Sequence, residues 1–465
     1  MTRLNYFNFK KFENEVLITN DAGKYLFLSP ADFTSLMTNS LDQGTELLAL
    51  LKGNMFVYDE HEEVFCEKAE EAVRCAKDCL FRATSLFIFV VTNRCNSRCV
   101  YCQAQGSSSC IKGDMDVDVA HRAADIALAS PSQSICIEFQ GGEPLLNYPI
   151  VQEIIRYCDD SNAGTKAIQY SLVSNLLLLS DEMLQFFVEH HVSLSTSIDG
   201  NAELHNMNRP LISGGPTYQD TARAIMRVRD RQLDIGAIQT TTRWSLAVPH
   251  EIVDAYVDLG FHSIFLRPLT PLGVAKEAWA EIGYTAEEFV EFYRSAFSYI
   301  LKINKEGTVI SEVHATILLR KILCSKFENY MELRSPCGAA VGQVAFYYNG
   351  NIYTCDEGRM LSEMGNDMFR LGNVDSTSYQ EMLDSRTAKA ACSASILESL
   401  PQCCDCVYQP YCGTCPVINL ASNGDIFPRE SGSYRCKLYG GMLDIIFGIL
   451  HNGDPKDIEV IKSWL

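Results

Sequence analysis

Nineteen cysteines stand in this 465-residue chain, and eight consecutive residues hold three of them: Cys95-Asn96-Ser97-Arg98-Cys99-Val100-Tyr101-Cys102. A C-x3-C-x2-C loop can deliver three thiolates to three irons of a [4Fe–4S] cluster, for which cysteine is the natural ligand. The fourth iron is then left for a small molecule. Structural zinc is the competing chemistry, but it wants four closing ligands, usually as two C-x2-C pairs.

Further chemistry-bearing residues follow at intervals. Gly141-Gly142-Glu143-Pro144 joins two glycines, which let a backbone approach a ligand closely, to a carboxylate that can accept from an ammonium group. Ser174-Asn175, Ser197-Ile198-Asp199-Gly200 and Arg209 add polar groups, and a guanidinium such as Arg209 can pair a carboxylate bidentately. A second cysteine set lies toward the C-terminus. Cys337, Gly350 and Cys355 make C-x12-G-x4-C, and Cys403, Cys404, Cys406, Cys412, Cys415 and Cys436 follow, with Cys324 upstream. Such pairs suit iron–sulfur clusters or a zinc ribbon. Asp356, beside Cys355, is a candidate proton acceptor.

These residues need elements to hold them. Apolar, β-branched runs at 86–92, 134–139, 167–174, 192–198, 233–240 and 263–268 alternate with helix-period segments, the pattern of a parallel sheet with crossover helices. Six units predict a partial (β/α)6 barrel, compared with the usual eight. The cysteine loop follows the first run and Gly141-Gly142 the second. In such arrays the loops after strand C-termini converge on one face. Before the barrel, VLITN-DAG-KYLFLS reads as a β-hairpin followed by a helix from Pro30, then a helix, a turn and a strand up to about residue 60. The expected organisation is a small α+β unit and linker (1–80), the barrel (81–323), a cysteine-rich domain (324–450) ordered more by its cysteines than by an apolar core, and a tail (451–465).

The composition bounds the partners. A formal charge of −19 argues against a broad nucleic-acid footprint. No apolar run reaches the roughly 20 residues of a membrane span, and the first residues carry no secretory h-region. A cytoplasmic setting is therefore expected, where clustered cysteines point to metal or catalysis more than to disulfides. Cys75 and Cys79, spaced i,i+4 on an expected helix, are read as binding nothing, and Cys136 and Cys158 as core. Cys66, Cys110 and Cys392 are left unassigned.

The spacing at Cys95–Cys102, with an aromatic before the last cysteine, resembles the radical S-adenosylmethionine superfamily over about 85–315. That resemblance implies an oxygen-labile cluster on Cys95, Cys99 and Cys102 and a bound S-adenosylmethionine. It implies cofactor contacts from Tyr101 near the adenine, Gly141, Gly142 and Glu143 at the methionine amino group, and Ser174, Asn175, Ser197, Asp199 and Arg209 at ribose and carboxylate. Residues 324–440 resemble the SPASM extension of radical peptide maturases, which implies two auxiliary [4Fe–4S] clusters. Cys403, Cys406, Cys412 and Cys436 would hold one. Cys337, Cys355 and Cys415 would hold the other, with Cys324 as candidate fourth ligand. The gap Gly413-Thr414 is one residue shorter than the family's, and Cys404 competes with Cys403. In related formylglycine-forming maturases the acid at the place of Asp356 takes a substrate proton.

The opening hairpin and helices resemble a winged-helix-like leader-peptide recognition element, and the whole arrangement is similar to maturases of the His-Xaa-Ser system. The implied function is oxidative modification, a C–C cross-link in particular, of a ribosomally made precursor peptide with a leader, with an external electron donor and a partner maturase. Formylglycine formation, and a cluster-bearing peptide-binding partner with no turnover, are the alternatives.

Overall fold

The computed structural model describes residues 2–60, 63–104, 112–325, 333–428 and 432–465; Cys110 lies outside them. The first sixty residues supply five strands: β1 (Thr2–Leu4), β2 (Asn8–Phe12), β3 (Glu15–Thr19), β4 (Tyr25–Leu28) and β5 (Val57–Asp59). The β3–β4 hairpin turns where Gly23, at φ 71°, donates to the Asn20 carbonyl. β2 adds to its other side as a third antiparallel strand, and β1 pairs with β5. Two helices, Pro30–Met37 and Glu46–Gly53, start at Ser29 and Thr45, whose hydroxyls accept from backbone N–H groups of the first turn. Ile18, Leu28, Leu36, Leu51 and Phe56 close a small core between these layers.

Ten further strands form one sheet: β6 (Leu86–Thr92), β7 (Ser134–Gly141), β8 (Ala167–Val173), β9 (Ser193–Ser197), β10 (Ile235–Thr240), β11 (Ser263–Arg267), β12 (Ser311–Glu312), β13 (Gln343–Tyr347), β14 (Asn351–Tyr353) and β15 (Arg370–Asn373). Their order is β12-β11-β10-β9-β8-β7-β6-β13-β14-β15, and β6 to β11 are the six predicted strands in sequential parallel array. The strands alternate. Ile135, Ile137 and Phe139 on β7, Leu172 on β8 and Leu194 and Thr196 on β9 are buried against the helices. Residues of the other parity, Glu138, Gln140, Ser195 and Ser197 among them, line a cavity inside the curve of the sheet. The interior is therefore polar and open where a full barrel fills it with branched apolar side chains.

The expected boundary at 323/324 falls inside this sheet. β13 pairs in parallel with β6 from Gln343–Leu86 to Tyr347–Val90, and Ala345, Tyr347 and Tyr353 pack with Ile88 and Val90. Much of the region from 338 to 447 also belongs to the main core, including Val344, Phe346, Tyr411, Met442 and Phe447. The expectation that cysteines organise it more than an apolar core is thus corrected. A 19-residue helix, Tyr434–Asn452, packs on the helix Ala286–Lys305; its apolar residues surround it too evenly for periodicity to reveal it. The tail is likewise docked: the helix Pro455–Ser463 buries Ile461, and Trp464 lies edge-on to Phe297 at 5.7 Å. Cys79 sits in a 3-10 turn after the helix Glu63–Ala76, so it does not share that helix with Cys75.

A fragment ending at residue 323 lacks β13 and leaves the β6 edge and the Ile88/Val90 face bare. It is expected to aggregate and to lose the cooperative thermal transition of the whole chain, read by circular dichroism; a soluble, cooperatively melting fragment would overturn this account.

Candidate radical-generating site

The cysteine loop leaves β6 where the β6–β7 register shifts, between Val90 and Thr92. Two backbone ladders hold it. On one side, Gly142 N–H donates to the Thr92 carbonyl (2.9 Å) and Glu143 N–H to the Arg94 carbonyl (2.8 Å). A Cβ on Gly141 would stand 2.5 Å from the Thr92 oxygen, and one on Gly142 2.2 Å from the Arg94 oxygen, so this approach admits only glycine. On the other side, Arg98 N–H donates to the Pro210 carbonyl, Val100 N–H to Asn208 and Ile212 N–H to Asn96 (2.8–3.0 Å). That second ladder brings Arg209 to the cysteines.

Side chains finish the frame. Tyr101 donates to Asp199 Oδ2 and accepts from Arg209 Nη1, both at 2.6 Å, and Asp199 Oδ1 accepts from Thr240 N–H. Glu143, 1% exposed, accepts from the Ser174 hydroxyl (2.7 Å), Asn175 N–H (2.8 Å) and Leu145 N–H (3.0 Å). Asn175 Nδ2 donates onward to Asn96 Oδ1 at 2.7 Å. Burial pushes the Glu143 and Asp199 carboxyls up, and these donors, with Arg209, pull them back. His205 is driven down to about 3 by burial and then by Arg209, so it is neutral where it accepts from the Asp199 N–H.

A cavity of about 520 Å³ opens over this frame. Cys95, Cys99, Cys102, Tyr101, Gly141, Gly142, Ser174, Asn175, Ser197 and Arg209 all line it. Glu143 and Asp199 do not. Their carboxylates accept hydrogen bonds from Ser174, Asn175 and Tyr101 and so hold those cavity residues in place. Burial raises the Cys95 thiol to about 12 and the Cys99 thiol to about 11, and nearby thiols add to the effect. Three thiols that line one cavity can exchange their protons for a cationic centre, so the donor set fits a cluster.

Asp356 faces the same cavity from the C-terminal region, ion-paired with the wholly buried Arg359. Glu138, on β7, faces it as well. Its carboxyl accepts from Gln140 Nε2 (2.6 Å) and Ser171 (3.3 Å) and is pushed up by burial, with the Asp356 charge adding to this. Glu138 was passed over in the sequence, although alternation in SICIEF puts it opposite Ile135, Ile137 and Phe139.

The remaining cysteines form two groups. Cys403 is raised to about 12 by burial and then by the charges of Cys412, Cys406, Cys436 and Cys404; Cys412, raised to about 11, answers to Cys406 and Cys436. Cys404 therefore stands beside this group. Its loop is gripped by the N-terminal unit: Asn8 donates to the carbonyls of Cys404 and Cys406, Tyr6 to Cys404 and Thr19 to Val407. Cys337, Cys355 and Cys415 share a second buried cluster, where each is raised by burial. Cys355 and Cys415 stand at the N-termini of the helices Asp356–Glu363 and Pro416–Asn423, where the Cys355 sulfur accepts from Gly358 N–H, and helix N-termini favour thiolate. Cys324 is exposed at the end of the helix Val313–Cys324. Among the described residues no three His, Cys, Asp or Glu side chains close on a single metal ion. Each thiolate of a [4Fe–4S] cluster holds a different iron, so its ligands need not converge on one. Among those residues, too, no helix is long and apolar enough to cross a membrane.

Comparison with known proteins gives the following. Residues 89–243 match the radical SAM superfamily model. An uncharacterized protein of Methanocaldococcus jannaschii is 33% identical over 184 residues, 40% of this chain and 62% of that protein. The chain thus spans less than two thirds of that relative. The cysteine-type anaerobic sulfatase-maturating enzyme of Clostridium perfringens is 23% identical over 309 residues, 64% of this chain and 80% of the enzyme. Among solved structures, anSMEcpe with bound AdoMet superposes with a TM-score of 0.69 at 19% identity, covering 82% of this chain and 96% of that one. Streptococcus suis SuiB bound to precursor peptide SuiA follows at 0.56 and 13%, covering 93% and 99%.

Two outcomes are expected at this site. Tyr101→Phe leaves buried Asp199 and Arg209 each short of a partner and should destabilise the chain by about 1–3 kcal/mol, measured by urea denaturation. Because each thiol must release its proton to bind iron, anaerobic iron uptake should rise with pH; a flat profile would contradict the assignment.

Proposed function

From a chain that belongs to the radical SAM superfamily through its residues 89–243, we propose an enzyme that modifies a ribosomally made precursor peptide inside the cavity over Cys95, Cys99 and Cys102. The observation that carries this reading is the shared cavity. The three cysteines, Gly141, Gly142 and Arg209 line it together with Asp356 of the cysteine-rich region. Cys95, Cys99 and Cys102 hold the cluster, and Tyr101, Ser174, Asn175, Ser197 and Arg209 are the cofactor contacts. When bound, the cluster and S-adenosylmethionine supply a 5′-deoxyadenosyl radical that takes a hydrogen atom from the peptide. Cys403, Cys406, Cys412 and Cys436 hold one auxiliary cluster, and Cys337, Cys355 and Cys415 the other, within the SPASM-type region 324–450.

The chain's own task is then positioning and proton transfer. Arg209, fixed by Tyr101, offers its guanidinium to a carboxylate at the cavity wall. Asp356 and Glu138 face the peptide position, and either accepts the proton that an oxidised substrate sheds. Glu138, kept more basic by burial, suits that step, whereas Asp356 is tied to Arg359. The N-terminal sheet suits leader recognition by strand addition, because β2 is an edge strand.

A C–C cross-link is the modification proposed. Formylglycine formation is the second reading, favoured by the similarity to sulfatase-maturating enzymes. Anaerobically reconstituted protein should carry about twelve irons per chain and release 5′-deoxyadenosine with dithionite and S-adenosylmethionine. Cys99→Ala should abolish that release; unaltered release, or zinc in place of iron, would sink the proposal. Mass spectrometry then separates the readings, since a cross-link removes only two hydrogens while cysteine oxidation also removes sulfur. The Cp18Cys peptide, bound in one solved anSMEcpe structure, is a direct probe of the second. Glu138→Gln should keep 5′-deoxyadenosine release while lowering peptide product by about 10²-fold or more.

A further inference from the structure

We propose that Lys321 is the counter-charge of the centre held by Cys403, Cys406, Cys412 and Cys436, and that it makes this centre easier to reduce and slower to lose its iron. The inference rests on the reading of these cysteines as a cluster site.

Lys321 lies in the last turn of the helix Val313–Cys324 and is 1% exposed. A lysine at that depth is normally paired with a carboxylate, because a lone ammonium gives up its hydration for nothing. Here the ammonium donates to two backbone carbonyls, that of Leu333 and, at 3.1 Å, that of Tyr411. Among the described residues no carboxylate pairs with it. Carbonyl dipoles orient the group but leave its charge without an opposite.

A small cavity shows what stands beside it. Lys321 and Cys412 line the same space of about 20 Å³, with Cys79, Lys77, Arg334 and Asp21 also on its walls. Such a space holds about one water, so the groups around it are close neighbours. The other charges there do not answer Lys321. Lys77 and Arg334 are cations themselves, Lys77 being paired with Glu398, and Asp21 is exposed. The approach to Cys412 is fixed by the backbone. The helix Val313–Cys324 packs on the 3-10 turn Gln409–Tyr411, and the carbonyl that Lys321 holds belongs to wholly buried Tyr411, next to Cys412 in the chain.

Iron loading supplies the missing opposite charge. A [4Fe–4S] cluster on four thiolates is a net anion, and it becomes more negative when it takes up an electron. A cation held in a low-dielectric interior stabilises the reduced form more than the oxidised one, so the midpoint potential rises. The same attraction favours the loaded centre over free thiols, which slows the loss of iron. An exposed lysine would be screened by water; this one is not.

The test titrates the full chain, K321Q, K321R and C79S with dithionite after anaerobic reconstitution, following each reduced centre by low-temperature electron paramagnetic resonance. C412A, which should remove the signal of this centre, identifies it. The amide of K321Q can still donate to the two carbonyls but carries no charge. It should shift this centre toward its oxidised form by about tenfold or more while the other centres hold. K321Q should also lose iron to a chelator about threefold faster or more. K321R keeps the charge and should keep both values, and C79S should match the natural chain. The proposal is overturned if K321Q leaves midpoint and iron loss unchanged, if K321R shifts as far as K321Q, or if C79S gives the shift instead. A natural chain with only about four irons would also overturn it. The radical chemistry is judged separately, by 5′-deoxyadenosine release from the natural chain.

Discussion

The parallel pairing of β6 with β13 is the constraint from which the rest of the architecture hangs. β6 ends in the Cys95–Cys102 loop, and β13 leads, through the β13–β14 turn, to Cys355 and the helix that carries Asp356 and Glu357. Because the two strands run side by side in register, the Cys95–Cys102 loop and the helix that follows Cys355 line one cavity. A linker of variable length could not hold that distance. Five consecutive ladder positions, with the Ile88, Val90, Ala345 and Tyr353 side chains packed across them, can.

Around that pairing the molecule separates apolar from polar faces strand by strand. The outer face of β7 to β9 packs on helices through Ile, Leu and Phe, while the inner face carries carboxyl, amide and hydroxyl groups. Buried charge is then managed by linkage. Arg209, Tyr101 and Asp199 form one chain of hydrogen bonds, and Glu143, Ser174, Asn175 and Asn96 form another. Both chains end on the cysteine loop. An ionisable group left alone at such depth would be expensive, so each is satisfied by backbone N–H groups or by its neighbours. The loop is therefore held for an electrostatic reason, and its three thiols face the cavity.

The N-terminal unit is bound in by similar means. Its Asn8, Tyr6 and Thr19 donate to carbonyls of the Cys404–Val407 segment, and Tyr411 donates back to the Gly23 carbonyl. Tyr25 and Phe27 meet Phe447 edge to face. A surface that suits a peptide strand thus shares a wall with one cysteine group.

How much of this was legible beforehand follows from which interactions are local. The six parallel strands, the hairpin at residues 15–28 and the cysteine loop were readable, because alternation, turn residues and ligand spacing are written within a few residues. Gly141 and Gly142 were readable as a close approach, but it is the Thr92 and Arg94 carbonyls that demand them. The alternation on β7 also held the position of Glu138, a signal that went unused. Elsewhere the reading failed for physical reasons. The Tyr434–Asn452 helix does not confine its apolar residues to one stripe, so no amphipathic period announces it. The separation of Glu143 and Asp199 from the cavity depends on partners 31 and 98 positions away. The sequence by itself determined which atoms could bind iron and which segments would be strands and helices, because ligand type and local periodicity are properties of neighbours in the chain. Only the tertiary structure decided which carboxylates face the cavity and that residues beyond 323 extend the barrel sheet. Burial, electrostatic pairing and strand registry act between residues that meet only in the folded chain.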